Sequence, residues 1–198
     1  MYTPKSFVID DRGEVLSFLK ANAFGQLISN NQGKLVSTHL PFLFNESGTK
    51  AFCHLAKQNP QLNDLEGQDV MLTFEGEHGY ISPSWYQKEG GVPTWNYQVA
   101  HVYGITKIIT DDNMLTQILH KLTGIYEKHE SNPWQPNYNQ ALNHTIIGVE
   151  IDIKDIQCKY KLSQNRSEED QKSVINALEA RGEIKLAQAM KKFSLKLT

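Results

Sequence analysis

Apolar and polar residues alternate most cleanly near the three-quarter point of the chain. There Ile147, Val149, Ile151 and Ile153 are interleaved with Gly148, Glu150, Asp152 and Lys154. A period of two puts the first set on one face of a β-strand and the second on the other. Val70, Leu72 and Phe74 set against Met71, Thr73 and Glu75 repeat the pattern. Residues 24–29, 35–44 and 51–55 read as further strands, and 95–109 as one long strand or a bent pair. Asn30-Asn31-Gln32-Gly33 and Ser47-Gly48 supply the turns between them. Pro41 has no N–H to give to a ladder, so its strand must lie at an edge or bend there.

The period changes to that of a helix in three places. Met114, Leu115, Ile118, Leu119, Leu122, Ile125 and Tyr126 form one apolar stripe, started by Thr110 or Asp111. Val15, Phe18 and Leu19 predict a shorter helix, capped by Asp10 or Asp11 and ended at Asn22-Ala23. From Ser167 the pattern is helical again, through Val174, Ile175 and Leu178, then Leu186, Ala189, Met190 and Phe193, with a break at Arg181-Gly182. Residues 60–65 leave room for one or two turns only. Residues 131–143, rich in Asn, Gln and Pro, predict a loop long enough to be mobile or recruited to a site. About six strands joined by short turns, with one long helix inserted, predict a mainly β fold built as an antiparallel barrel or closed sheet.

The 198 residues make one large domain with a sizeable core, read here as a β domain over 1–165 and a helical extension over 166–198 packed on it. A net charge of −2 gives no global pull toward nucleic acid or an anionic membrane. The charge is uneven, however. Residues 1–158 carry 11 Lys and Arg against 17 Asp and Glu, whereas 159–198 carry 9 against 5. No stretch reaches the roughly 18–20 apolar residues of a membrane span, and the first residues lack an apolar leader. The expectation is a cytoplasmic protein with Cys53 and Cys158 reduced.

Motif chemistry excludes several enzyme classes. The chain has no Gly-x-Ser-x-Gly, no Walker-type loop and no Gly-x-Gly-x-x-Gly opening a βαβ unit. It has no His-x-x-x-His or Cys-x-x-Cys, so no metal site is expected. The informative stretch is His54-Leu55-Ala56-Lys57-Gln58-Asn59-Pro60-Gln61, where a lone lysine follows a strand beside an Asn-Pro turn. One cation with amide donors and turn N–H groups suits a phosphate, with Lys57 and Asn59 as anchors and His54 at the strand exit. A solvated loop lysine beside a helix-starting Asn-Pro is the plainer reading of the same residues. Thr38, His39 and Leu40 could offer backbone and side-chain groups to the edge of a flat ligand, or simply be half-buried strand residues. Trp85 and Trp95, the latter followed by Asn96, lie in Gly/Pro/Ser-rich connections and fit either pocket lining or a dimer contact. Lys161, Gln164, Asn165 and Arg166 precede a helix whose acidic first turn, Ser167-Glu168-Glu169-Asp170, suits the helix dipole. Capping explains Ser167 and the acids but leaves Lys161, Gln164 and Arg166 free to meet an anion.

Five segments in order resemble the PaiB-type family of FMN-binding split-barrel proteins, known as negative transcriptional regulators. They are Thr38-His39-Leu40-Pro41, the His54–Gln61 stretch, Gly79-Tyr80-Ile81-Ser82-Pro83-Ser84-Trp85-Tyr86, Val92-Pro93-Thr94-Trp95-Asn96-Tyr97 and Lys161-Leu162-Ser163-Gln164-Asn165-Arg166. The resemblance runs from Met1-Tyr2-Thr3-Pro4 to about Met190. It implies a split β-barrel, FMN as cofactor, a homodimer with the flavin ring at the subunit interface, and a regulatory role. An FMN-dependent oxidoreductase of the flavin-reductase or pyridoxamine-phosphate-oxidase kind is the alternative, and a flavin or haem binding module without turnover is another. DNA contact would fall to the C-terminal helix pair, through Lys185, Gln188, Lys191 and Lys192, although the apolar side of its second helix reads as a docking face.

Overall fold

The computed structural model describes residues 1–88, 91–136 and 144–193. Its strands are β1 (Val8–Ile9), β2 (Phe24–Asn31), β3 (Lys34–Pro41), β4 (Leu43–Phe44), β5 (Lys50–Ala56), β6 (Asp69–Ile81), β7 (Thr94–Ile109) and β8 (Ile146–Lys161). They form one sheet in the order β3-β2-β6-β7-β8-β5-β4, with β1 paired to β8 off this path. Four helices accompany it: α1 (Arg12–Ala21), α2 (Asp112–Glu127), α3 (Glu168–Ala180) and α4 (Ile184–Phe193). The expected mainly β fold with one inserted long helix and C-terminal helices is what the chain adopts.

The strands are longer than their apolar alternation shows. β2 and β3 make a hairpin in register from Phe24↔Pro41 to Asn31↔Lys34. Gln32 and Gly33, at φ 52° and 85°, turn it, the backbone sign that matches the twist of paired strands. Pro41 ends β3, the terminal strand of the path, as its missing N–H requires. β8 pairs with β5 from Ala56↔Ile146 to Lys50↔Asp152, then with β1 at Ile9↔Cys158 and Val8↔Lys159. At Gly25 a Cβ would come within 2.5 Å of the Thr73 carbonyl oxygen, so only glycine allows β2 to lie this close to β6.

The described residues divide into two compact units. The first comprises Met1–Val15, Glu75–Ala100 and the described part of Gln157–Thr198; the second comprises Leu16–Phe74 and His101–Ile156. In the second, Leu27, Leu55, Leu65, Leu72 and Ile151 are fully buried, and Phe42 and Phe44 meet Phe74 edge-on at 5.3 and 5.4 Å. α2 buries Leu115, Ile118, Leu119 and Leu122, and Asp111 caps it by accepting from the Asn113 N–H at 2.8 Å. In the first unit, α3 and α4 bury Val174, Ile175, Leu178, Leu186, Ala187 and Met190. Tyr160 packs edge-on against Phe193 at 4.7 Å and donates its hydroxyl proton to Glu14 at 3.0 Å. The loop expected over 131–143 carries no regular structure as far as residue 136; residues 137–143 lie outside the described residues. No described helix is long and apolar enough to cross a membrane.

Candidate functional site

The residues singled out by sequence fall into two groups, one in each unit. In the second unit, Thr38, His39 and Leu40 stand on β3, His54 on β5, and Lys57 and Asn59 just beyond its end. A hydrogen-bond network ties this group together. The Asn59 side chain caps the short turn over Pro60–Asp64 by accepting from the Gln61 N–H at 3.0 Å, and its amide donates to Thr38 Oγ1 at 3.0 Å. Thr38 Oγ1 donates in turn to Gln61 Oε1 at 2.5 Å. Gln61 is 3% exposed and spends its own amide protons on the Leu27 carbonyl at 3.0 Å and Ser29 Oγ at 2.8 Å. The amide at the strand exit is thus held in place from β2 and β3, by a buried glutamine that reads in the sequence as an ordinary turn residue.

Lys57 is anchored through its backbone, whose N–H donates to the Thr145 carbonyl at 2.8 Å, and its exposed ammonium makes no ion pair among the described residues. His39 faces outward, stacked on exposed Phe24 at 6.2 Å with 26° between the rings. Leu40 points inward and is buried. His54 Nδ1 is buried without a hydrogen-bond partner among the described residues, and burial holds its imidazole below the ordinary histidine pKa.

The unfolded chain therefore takes up a proton at this histidine before the folded one does. Its contribution to stability is full above the ordinary histidine range and is lost as pH falls through that range toward the lower folded value. The urea midpoint is expected to fall between pH 7.5 and 5.5, and to fall less in His54→Gln. An unchanged slope in the variant would show that His54 is not the group responsible.

In the first unit, Trp95 is 53% exposed and lies 6.1 Å from His78 and 6.3 Å from Tyr80, ring to ring. Asn96 points the other way, 1% exposed, and donates to Ser163 Oγ at 2.9 Å and Met190 Sδ at 3.4 Å. Gln164 closes the end of β8: its amide donates to the Tyr160 carbonyl at 2.6 Å and its oxygen accepts from the Leu162 N–H at 2.7 Å. Lys161 donates to Thr94 Oγ1 at 2.6 Å and the Trp95 carbonyl at 2.5 Å. Its ammonium is held below the usual lysine pKa by burial first, then by Lys159 and Arg166. Arg166 lies over the Tyr86 ring at 4.4 Å, and Asn165 is exposed. Lys159, absent from the sequence-based set, is buried with its ammonium 5.2 Å from the Tyr97 centroid and 3.2 Å from the Tyr2 carbonyl. Three cations therefore gather at the end of β8, where sequence pointed to two.

A cavity of about 260 Å³ in this unit is lined by Glu75, His78, Trp95, Tyr97, Gln98 and Val99. No group of three or more His, Cys, Asp and Glu among the described residues is arranged to hold a metal ion.

Residues 1–155 match the model of the family described as "Putative FMN-binding domain". The chain is 41% identical over 190 residues to the protease synthase and sporulation protein PAI 2 of Bacillus subtilis, covering 90% of this chain and 89% of that protein. It is 30% identical over 190 residues to the uncharacterised protein AN0679 of Emericella nidulans, covering 74% and 76%. Among solved structures, the flavocytochrome Anf3 of Azotobacter vinelandii superposes with a TM-score of 0.65 at 17% identity, over 78% of this chain and 69% of that one. The FAD and heme binding protein of Mycobacterium smegmatis gives 0.63 at 14% identity, over 77% and 72%. The fold is thus the one these split-barrel proteins share.

The residues present fit an FMN. Its phosphate needs a cation and N–H donors, which Lys57 and Asn59 offer at the strand exit, the Asn59 amide having a second proton to give. Its ring needs flat apolar flanks, which Phe24 with His39 and, separately, Trp95 with Tyr97 present.

Proposed function

The chain belongs to the PaiB-type FMN-binding domain family, and from that premise we propose that it is a regulatory FMN-binding homodimer that lowers expression of its targets. FMN is its cofactor. The observation that carries the site is the Thr38–Asn59–Gln61 network beside Lys57, which has no ion-pair partner among the described residues. In this reading Lys57 and Asn59 take the phosphate, and Thr38, His39, His54 and the backbone of Leu40 border the ring system; Trp95, Asn96, Lys161, Gln164, Asn165 and Arg166 of the first unit are a separate set of candidate contacts. Asn96 and Gln164 would act through the neighbours they hold, since their amides are already engaged. When bound, FMN supplies hydride and electron chemistry, which the protein positions.

The regulatory part of the proposal rests on the B. subtilis relative, whose name places it in protease synthesis and sporulation. We assign that effect to something other than DNA reading by α3 and α4. Leu186, Ala187 and Met190 of α4 are buried, Lys191 pairs with Glu179 and Lys192 with Glu14. A helix with its apolar side docked and two of its lysines paired is poorly placed to enter a groove. Exposed Trp95 and Tyr80, with Phe24 and Leu35 elsewhere on the sheet, support the dimer, which sedimentation would reveal as twice the chain mass. A chain mass at all concentrations would remove it.

The 260 Å³ cavity favours a second reading, an FMN-dependent oxidoreductase, because it would take one small aromatic ring. Two assays separate the readings. Regulation without direct DNA contact predicts no retardation of the chain's own upstream DNA at low salt. Salt-sensitive binding that weakens when Lys185, Lys191 and Lys192 are neutralised would overturn it. Anaerobic bleaching of bound flavin by NADH or NADPH, with reoxidation by an acceptor, would decide for the enzyme.

A further inference from the structure

We propose that the groove between α2 and the β4–β5 strands is a docking site for an extended acidic segment of a partner protein. Leu43 and Phe44 of β4, Phe52 of β5 and Ile125 of α2 line this groove of about 730 Å³, with Lys121 and Lys128. Leu43 and Phe52 pack in turn on buried Ile109, Ile118 and Leu122, so the lining rests on core rather than on a mobile loop. Ile125 remains 40% exposed.

Two observations point to an occupant. The first is charge. Lys121 and Lys128 lie seven residues apart, on one face of the helix and about 10 Å apart along its axis. Neither makes an ion pair among the described residues. Glu46 also lines the groove, leaving it with one net positive charge.

The second is Gly124, which shares that face with the two lysines. A glycine inside a helix costs about 1 kcal/mol relative to alanine. It is usually kept where a Cβ would collide, yet here a Cβ would meet nothing within 4 Å. Packing among the described residues gives no reason for it. The bare backbone leaves room for close approach from outside, midway between Lys121 and Lys128.

A ligand matched to this lining carries two anionic groups with an apolar group between them. In an extended segment, residues i, i+2 and i+4 share a side, and the outer two stand about 13 Å apart. That distance is within reach of two lysine side chains. Glu-x-Leu-x-Glu therefore places both carboxylates on the lysines and the leucine over Phe44, Phe52 and Ile125. A single-headed anionic lipid would leave one ammonium unused.

The probe is a fluorescein-labelled Ser-Glu-Ser-Leu-Ser-Glu-Ser peptide, followed by anisotropy at low salt on the full chain. Saturable binding is expected, weakened roughly tenfold or more in Lys121→Gln/Lys128→Gln. Gly124→Leu should abolish binding by filling the groove, while its thermal midpoint stays at or above that of the wild type and FMN binding is unchanged. Absence of saturable binding would overturn the proposal. So would equal binding of the peptide with lysine in place of both glutamates, or full binding by a folded Gly124→Leu. Binding of dodecanoate but not of the peptide would reassign the groove to a lipid and equally reject the peptide.

Discussion

Gln61→Leu is expected to cost the fold about 2–4 kcal/mol and to weaken FMN binding as well. The glutamine amide is buried and engaged on every side, donating to the Leu27 carbonyl and Ser29 and accepting from Thr38. Leucine fits the volume but leaves those partners facing an apolar group, each at a desolvation cost of about 1–3 kcal/mol, part of which relaxation recovers. For a chain of this size the thermal midpoint should drop by on the order of 5–15 °C. The FMN effect follows because Thr38 loses its acceptor and Asn59 the ordered turn it caps. Gln61→Glu buries a carboxylate against the Leu27 carbonyl and should destabilise at least as much as leucine at neutral pH. A midpoint within about 1 °C of wild type for Gln61→Leu would mean the network adds little to stability.

Lys57→Ala is expected to act on binding alone. The side chain is exposed and makes no ion pair among the described residues, so removing it should leave the urea midpoint nearly unchanged. A charged hydrogen bond to a phosphate is worth about 1.5–3 kcal/mol, so FMN affinity should fall roughly 10- to 150-fold. Lys57→Arg keeps the charge on a different geometry and should recover part of that loss. Unaltered FMN affinity in the alanine variant would move the phosphate to another cation, with Lys159, Lys161 and Arg166 as the remaining cluster.

What the sequence shows of this protein is governed by range. Alternation over 147–154 exposed the first part of β8, and the stripe from Met114 to Tyr126 exposed α2, because both signals are local. The outer half of β6 was hidden because Glu77, His78 and Tyr80 do not alternate with apolar residues, and what holds them in a strand is the neighbouring strand of the sheet. The far end of β8 was legible too, as a strand ending near Tyr160, whereas the burial of Lys159 beside Tyr97 has no local sign, since its partners lie far along the chain. Pro41 and Asp111 were legible because a missing N–H and a side-chain cap act within a few residues.

The candidate site follows the same rule. Lys57 and Asn59 announce themselves by sitting on a turn. Gln61, two residues on, gives no local sign of being buried, since its partners Leu27 and Ser29 lie more than thirty residues away. Asn96 and Gln164 look like free donors in sequence, whereas the fold spends their amides on Ser163, Met190 and the end of β8.

In the proposed site, FMN is held by its phosphate at the strand exit carrying Lys57. The measurement that tests it most directly is fluorescence titration of the wild-type protein and of Lys57→Ala with FMN and with riboflavin, which lacks the phosphate. Wild type should prefer FMN by roughly 10-fold or more, and the variant should lose most of that preference while binding riboflavin as before. Equal affinity of wild type for the two flavins, or a preference that survives in Lys57→Ala, would contradict it.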